Sequence, residues 1–142
     1  MRLTTLVLGA AIALSMATTT AAVAKTAAVA KPHLRDTPID DGLLALGLAD
    51  EIRNACPSIS ARMIRALGYL NGLKSQAHAL GYTDAEIDAY RKSDTEKARL
   101  KKRGKAYLAA NGVVVGQPET YCALGRNEIE KSSQIGSLLR VN

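Results

Sequence analysis

The sequence has no tryptophan and no phenylalanine, and it has only five tyrosines and two cysteines among 142 residues. A hydrophobic core must therefore consist of aliphatic side chains and a few tyrosines. The shortage of aromatic rings also argues against binding of single-stranded nucleic acid, in which bases stack on such rings. We expect no nucleic-acid partner.

The sequence also lacks the common motifs of cofactor binding and catalysis. It has no phosphate-binding glycine loop and no dinucleotide-binding fingerprint. The acids of the first predicted helix do not alternate as in a calcium loop, and Asp40 and Asp41 are interpreted as favourable charges at its start. Two cysteines and His78 are too few for a four-ligand zinc site. We expect no cofactor, no metal and no enzymatic activity.

The first 24 residues have the features of a secretory signal peptide. Arg2 supplies a positive charge, residues 6–17 are apolar, and Ala22-Val23-Ala24 is a small-x-small cleavage site. A second small-residue pattern makes cleavage after Ala30 an alternative. The apolar stretch is shorter than the roughly 20 residues of a membrane-spanning helix, and no later segment is apolar enough to span. We expect a periplasmic or secreted protein with no transmembrane segment in the mature chain.

Export to an oxidising compartment favours a disulfide between the two cysteines, Cys56 and Cys122. In the loop-entropy model, a bridge across so long a loop stabilises the fold by about 4 kcal/mol. Two buried free thiols are the alternative. A redox pair is disfavoured because active dithiols usually lie two residues apart, although Cys122 is near a predicted helix start.

Residues 25–38 are rich in small residues and proline and are predicted to form a flexible linker. The periodicity of residues 39–142 predicts a single all-α domain, a compact bundle of four to five helices with one long-range disulfide. Helices are expected at 41–55, from Ser58 or Ser60 to 80, at 83–111 with a break near Ser93, and from Pro118 onward, followed by a last turn near 135–139. Residues 113–115 are interpreted as an extended plug. The second helix is predicted to bury one stripe, formed by Met63, Ile64, Leu67, Leu70, Leu73, Ala77 and Leu80.

The formal net charge is +6, and cations cluster on the third helix. A candidate surface for an anionic partner consists of Lys97, Arg99, Lys101, Lys102, Arg103 and Lys105. An anionic envelope component or an acidic protein would be its partner. The alternative is a solvated face that Asp94 and Glu96 partly neutralise.

Two glycines and a few polar residues complete the candidates. Gly68 and Gly72 lie one turn apart in the second helix, which indicates close packing of another backbone or, alternatively, a ligand groove. His78 is interpreted as a surface histidine. No base or nucleophile is seen to pair with Glu128 or Glu130.

Several short segments resemble a family of small exported alphaproteobacterial proteins of unknown function. They are residues 54–57 (Asn-Ala-Cys-Pro), 121–125 (Tyr-Cys-Ala-Leu-Gly), 135–136 (Ile-Gly), and 81–83 (Gly-Tyr-Thr) with 86–87 (Glu-Ile). The resemblance covers most of the mature chain and implies no catalytic residue.

The expected function is that of a non-catalytic binding or interaction module of the cell envelope. A periplasmic stress chaperone is the alternative, because such chaperones are similar in size, export and a single long-range disulfide. An envelope hydrolase is a further alternative, and a pocket joining His78 to Glu128 or Glu130 would favour it.

Overall fold

The computed structural model describes residues 30–142. The predicted signal peptide and residues 25–29 of the predicted linker lie outside this range. The α-helices of the described part are α1 (Pro38–Ala55), α2 (Met63–Ala79), α3 (Asp84–Lys92), α4 (Asp94–Ala110), α5 (Pro118–Glu130) and α6 (Gln134–Ser137). Two short strands are β1 (Ile59–Ala61) and β2 (Leu139–Val141), and a 3-10 turn spans Leu34–Asp36. The prediction of an all-α domain is confirmed.

Helix α1 is the central element and packs against α2, α4, α5 and α6. One broad face of the helix is buried, and its residues are related by steps of three or four positions: Ala45, Leu48, Ala49 and Ile52. Because the neighbouring helices cover that face, the main core forms around α1 and includes Cys56 just after its end. The predicted disulfide is confirmed: Cys56 and Cys122 are bonded with a Cα–Cα distance of 5.1 Å.

Local capping chemistry defines the ends of the middle helices, as the sequence predicts. The Thr83 hydroxyl accepts a hydrogen bond from the Glu86 N–H, and the Glu86 carboxylate accepts one from the Thr83 N–H at 2.7 Å. At the start of α4 the Ser93 hydroxyl alone forms the cap and accepts from the Glu96 N–H at 3.3 Å, so the third predicted helix is two helices, α3 and α4. Gly81 follows α2 with a φ of 87°, a conformation that glycine adopts without strain.

The segment before α2 differs from the prediction. Neither Ser58 nor Ser60 caps the helix; residues 59–61 instead form β1, which pairs antiparallel with β2 in the register Ile59 to Val141. This pairing could not be anticipated from residues 58–61 alone, because its partner strand lies at the far end of the chain. It brings the C-terminal residues beside the start of α2.

The predicted linker needs correction in its second half. Residues 31–37, here called the N-terminal strap, pack on the domain. Leu34 is buried in a second apolar cluster, the Tyr82 hydroxyl donates to the Pro32 carbonyl at 2.6 Å, and the Lys31 ammonium contacts the Glu86 carboxylate at 2.8 Å. A single apolar residue anchors this segment, so its composition alone resembles that of a linker.

The predicted buried stripe of α2 is wrong in its first half. Leu73 and Ala77 are buried, but Met63, Ile64 and Leu67 are 57%, 89% and 57% exposed. The reason is that no element of the described chain covers the outer side of α2 at its start. The predicted plug is also only partly correct, because residue 113 is buried whereas residues 114 and 115 are exposed.

Candidate functional site

The predicted basic face divides into two groups, and its two arginines are half-buried against α1. Arg99 and Arg103 turn towards α1 and bind the Asp40 carboxylate, which is 1% exposed. The Tyr90 hydroxyl donates to Asp40 at 2.9 Å, and Arg103 also contacts Asp41 at 2.7 Å. The interpretation of Asp40 as a simple helix-start charge is therefore incomplete. Arg99 and Arg103 join α4 to α1.

This ion-pair network is charged at neutral pH. Burial raises the pKa of Asp40, but hydrogen bonds from Arg99 and Tyr90 and the charges of Arg99 and Arg103 outweigh it, so the pKa is lowered overall. A hydrogen bond from Arg99 at 2.7 Å likewise lowers the pKa of the buried Glu96 carboxylate, which also binds Arg35 of the N-terminal strap. The network therefore fastens the strap, α1, α3 and α4 together.

The lysines of the predicted basic face are exposed. Lys97 lies 3.5 Å from Asp94, whereas Lys101, Lys102 and Lys105 form no ion pair with residues of the described part. The exposed cations of the predicted surface are thus the four lysines of α4. Lys97 and Lys101 line a cavity of about 460 Å³ that has apolar walls, but Asp50 and Glu51 line the same cavity, so its charge is mixed.

A different surface combines shape and charge. An open groove of about 910 Å³ lies between the start of α2, α6 and β2. Its apolar lining includes Met63, Ile64, Tyr69 and Leu138, and the exposed Leu67 lies on α2 beside it. Exposed large apolar side chains that cluster around a concave surface are typical of a binding site.

Three arginines line the same groove, Arg62, Arg65 and Arg140, and we call it the arginine groove. Each donates one hydrogen bond to a neutral oxygen: Arg62 to the Leu139 carbonyl at 3.0 Å, Arg65 to the Ser137 carbonyl at 3.4 Å, and Arg140 to the Ser60 hydroxyl at 3.1 Å. None of the three pairs with a carboxylate of residues 30–142, and no acid lines the groove in that range. Arg62 and Arg140 each make one hydrogen bond of ordinary length, the Arg65 contact is longer, and all three exposed guanidinium groups keep donors available for an anion.

The start of α2 adds to the positive potential of the groove. Arg62 is the N-cap residue and makes no side-chain capping bond, and the first turn of α2 contains no acid. The first N–H groups of a helix carry a positive partial charge that a carboxylate or a cap normally offsets. Here the guanidinium groups lie beside these N–H groups, so the groove favours negative charge in its occupant.

The two glycines of α2 do not serve the packing that the sequence suggests. A Cβ atom added at Gly68 or Gly72 would meet no atom within 4 Å, whereas one added at Gly125 would collide with the Ile59 side chain and one added at Gly136 with the Glu128 backbone. Gly125 and Gly136 are therefore positions of close approach. Each glycine within a helix costs about 1 kcal/mol relative to alanine, and Gly68 lines the arginine groove. The groove interpretation of Gly68 thus agrees with its position.

The polar residues considered for catalysis lie in separate surroundings. His78 binds Asp84, with Nε2 3.2 Å from Oδ1, and its other ring nitrogen lies 2.8 Å from the Tyr82 carbonyl. Glu128 is buried and accepts hydrogen bonds from Tyr107 and Ser133, so it does have partners. Burial of Tyr107, together with its hydrogen bond to Glu128 and the Glu128 charge, raises the pKa of the tyrosine to about 12. No hydrogen bond joins His78 to Glu128 or Glu130 in the described chain.

The described residues contain no group of three or more His, Cys, Asp or Glu side chains placed to hold a metal ion. None of the helices in residues 30–142 is long and apolar enough to cross a membrane.

The groove arginines are the residues that sequence reasoning missed. A signal was present: no acid occurs between residues 54 and 83 or between residues 131 and 142, although both segments carry arginines. Two acid-free segments that contain cations indicate charges without local partners. Only the pairing of β1 with β2 places Arg140 beside Arg62 and Arg65.

Comparisons with known proteins agree with the expectation of an uncharacterised domain family. A family model matches residues 31–140, which includes the N-terminal strap and both cysteines. No curated protein and no solved structure matches the chain. The chain therefore belongs to the family of unknown function DUF5333.

Proposed function

We propose that this protein is an exported, non-catalytic binding module of the cell envelope and that the arginine groove holds its partner. The observation that carries the proposal is a set of three guanidinium groups around an apolar groove that pair with no carboxylate of residues 30–142. A partner that fits has an apolar body and one or more acidic groups. Charge-assisted hydrogen bonds from arginine would orient the acids, and the exposed apolar side chains would bury the body.

The groove is a better candidate than the lysines of α4. Arg62, Arg65 and Arg140 are each positioned by a hydrogen bond, so less side-chain freedom is lost when they bind an anion. Exposed lysines give a screened attraction with little geometric selectivity. The α4 lysines would therefore raise the rate of encounter with an anionic partner without selecting it.

Export is part of the same proposal. The signal-peptide features of the first 24 residues and the disulfide between Cys56 and Cys122 support it, because disulfides persist in oxidising compartments. Intact-mass measurement of the protein from its natural host tests this part. We expect a mass that lacks the leader and shows no alkylation without reductant. An uncleaved chain with two alkylated thiols would contradict export.

Anilinonaphthalene sulfonate, an anionic apolar dye, tests the groove at neutral pH. We expect one fluorescent binding site in the native protein. Changing Arg62, Arg65 and Arg140 to Gln removes three donors that bind the sulfonate, so its Kd should rise at least about tenfold, which corresponds to about 1.4 kcal/mol. Circular dichroism of each variant checks the fold.

The matched control removes the same number of charges elsewhere, by changing Lys101, Lys102 and Lys105 to Gln. If only charge number mattered, both triple variants would weaken dye binding equally, and the groove would lose its role. A lysine variant that binds like the native protein, beside an arginine variant that does not, supports the proposal.

A second candidate, an acid-stress chaperone, is favoured by the contacts of the N-terminal strap. Lys31 and Arg35 hold the strap to Glu86 and Glu96. The Lys31 hydrogen bond is the largest of the effects that lower the pKa of Glu86 to about 2. A lowered carboxylate pKa stabilises the fold above the unfolded value, about 4.3, and this stabilisation is lost as the pH falls towards about 2. Acid would then release Leu34 and expose its apolar cluster.

The chaperone candidate has its own measurement, which uses the triple arginine variant so that the groove does not bind dye. We expect new dye fluorescence between about pH 4 and pH 2, where the carboxylates of Glu86 and Glu96 that hold the strap gain protons. A protein that stays compact and binds no dye at pH 2 is not an acid-triggered chaperone of this kind.

A further inference from the structure

The outer face of α2 continues beyond the arginine groove. Five residues spaced three or four apart lie on this face, and all are exposed: Ile64, Leu67, Gly68, Asn71 and Gly72. We call them the α2 outer face. Ile64 and Gly68 also line the groove, whereas Gly72 lies outside its lining. The apolar surface at the start of α2 therefore passes into a low strip formed by two glycines.

This face lacks any cover within residues 30–142. Ile64 and Leu67 are 89% and 57% exposed, and nothing lies within 4 Å of a Cβ atom added at Gly68 or Gly72. Two glycines lower the helix propensity of α2 without an internal packing role. Without side chains there, the backbone of another helix can approach α2 closely.

Charge excludes a second copy of the same face as the occupant. An isologous dimer would place the α2 outer faces of two copies together. Arg62, Arg65 and Arg140 of each copy would then meet at the interface, and no acid of residues 30–142 lines the groove. Like charges in a shared interface disfavour that association. Complementarity requires a partner that brings carboxylates.

We propose that the α2 outer face and the arginine groove together bind an acidic amphipathic helix of a partner protein. The exposed Ile64 and Leu67 and the three arginines carry the proposal, and Gly68 and Gly72 determine the shape of the occupant. Small or apolar residues of the partner helix lie over Gly68 and Gly72, and its carboxylates lie at the groove end of α2. The inference rests on the proposed function of the groove and extends it to Gly72.

A helix fits this surface better than a lipid layer does. The strip at Gly68 and Gly72 is recessed relative to the side chains of Ile64 and Leu67, so a flat surface that touches these two leaves the glycines uncovered. A helix laid along α2 can fill the recess, as in ridges-into-grooves packing and in helix-in-groove recognition. The partner is therefore identified as a protein helix.

The test uses two synthetic helical peptides of 21 residues as probes. The acidic peptide has alanine and leucine on one face and glutamate on the others, and the basic peptide has lysine in place of glutamate. Gly72→Leu adds a large side chain to the recessed strip and leaves the groove lining unchanged. The variant is expected to fold because Gly72 is an exposed helical position with open space around it. Gly47→Leu, at an exposed glycine of α1 that also has no atom within 4 Å, is the matched control.

Fluorescence anisotropy measures peptide binding, and the sulfonate dye measures the groove separately. We expect the acidic peptide to bind the native protein, the basic peptide not to bind, and Gly72→Leu to weaken the acidic peptide at least about tenfold, as overpacking of an interface does. Gly47→Leu should bind like the native protein. The dye should bind Gly72→Leu normally.

The other outcomes overturn the inference in distinguishable ways. If Gly72→Leu binds the acidic peptide like the native protein while the arginine variant loses the dye, the proposal that the groove binds anions is supported and the proposal of a partner helix is refuted. If neither ligand depends on the arginines, both proposals fail. Binding to phosphatidylglycerol vesicles but not to the peptide would assign the surface to a membrane. A dimer in sedimentation that Gly72→Leu dissociates would assign it to a second copy.

Discussion

The two neighbouring acids at the start of α1 allow a sharp test of the ion-pair network. Asp40 is 1% exposed and binds Arg99, Arg103 and Tyr90, whereas the side chain of Asp41 is 74% exposed and binds Arg103 alone. Asp40→Asn and Asp41→Asn remove the same charge from adjacent residues of one helical turn. They differ in burial and in the number of partners left behind.

The structure predicts different losses of stability for the two substitutions. Asp40→Asn leaves Arg99 and Arg103 facing a neutral amide, but each keeps one other carboxylate, so the cost is that of the lost charge-assisted hydrogen bonds, about 1.5 to 3 kcal/mol. Asp41→Asn breaks an exposed ion pair, which is worth less than about 1 kcal/mol. With a urea m-value of about 1 to 1.5 kcal/mol/M for a domain of this size, the first change lowers the midpoint by about 1 to 3 M. The second lowers it by less than about 1 M.

Urea unfolding of the oxidised protein, followed by far-UV circular dichroism, measures both variants. The pH dependence supplies a second check. The network lowers the folded-state pKa of Asp40, so its stabilisation is present above the unfolded value of about 3.9 and is lost as the pH falls through the folded value. The difference in the free energy of unfolding between the native protein and Asp40→Asn should therefore be largest at pH 7 and decrease below about pH 4. If the two substitutions lowered the urea midpoint equally at pH 7, the ion-pair network around Asp40 would not stabilise the fold more than the exposed pair of Asp41.

Two further predictions concern the core. The double change Cys56→Ser and Cys122→Ser should lower the free energy of unfolding by about 4 kcal/mol, because the bridge closes a long loop in the unfolded chain. Thermal unfolding with and without reductant measures this loss of stability. An unchanged transition would contradict the loop-entropy account. Gly125→Ala should destabilise by about 1 to 3 kcal/mol, since the added Cβ would overlap the side chains of Ile59 and Ile52. The control Gly47→Ala, with open space, should stabilise by up to about 1 kcal/mol; the reverse order would show that packing around Gly125 is wrong.

The helices and their ends were predictable because local chemistry decides them. Thr83 with Glu86 and Ser93 with Glu96 satisfy the first N–H groups of α3 and α4, and Pro118 begins α5. These interactions span only a few residues, so they are visible in the chain itself. The pairing of Cys56 with Cys122 was predictable because only two cysteines exist.

The candidate site was less predictable. Arg99 and Arg103 look like exposed cations on a charged helix, and only the position of α1 reveals that they hold the buried Asp40. In the same way, the periodicity of α2 shows an apolar face at its start without showing whether another element covers it. Periodicity reports which residues share a face, and the placement of neighbours decides the burial.

Local patterns in the sequence were enough to predict the all-α class, the capped ends of α3 and α4, and the covalent bridge, since capping, proline placement and apolar spacing act over a few residues. They did not locate the start of α2, where β1 precedes the helix. The tertiary structure decided which faces are covered and which charges meet. Arg140 joins Arg62 and Arg65 because β2 pairs with β1 across most of the domain, and Leu34 secures a strap because a distant cluster receives it. Contacts between residues so far apart depend on how all the helices pack together, and no local pattern encodes them.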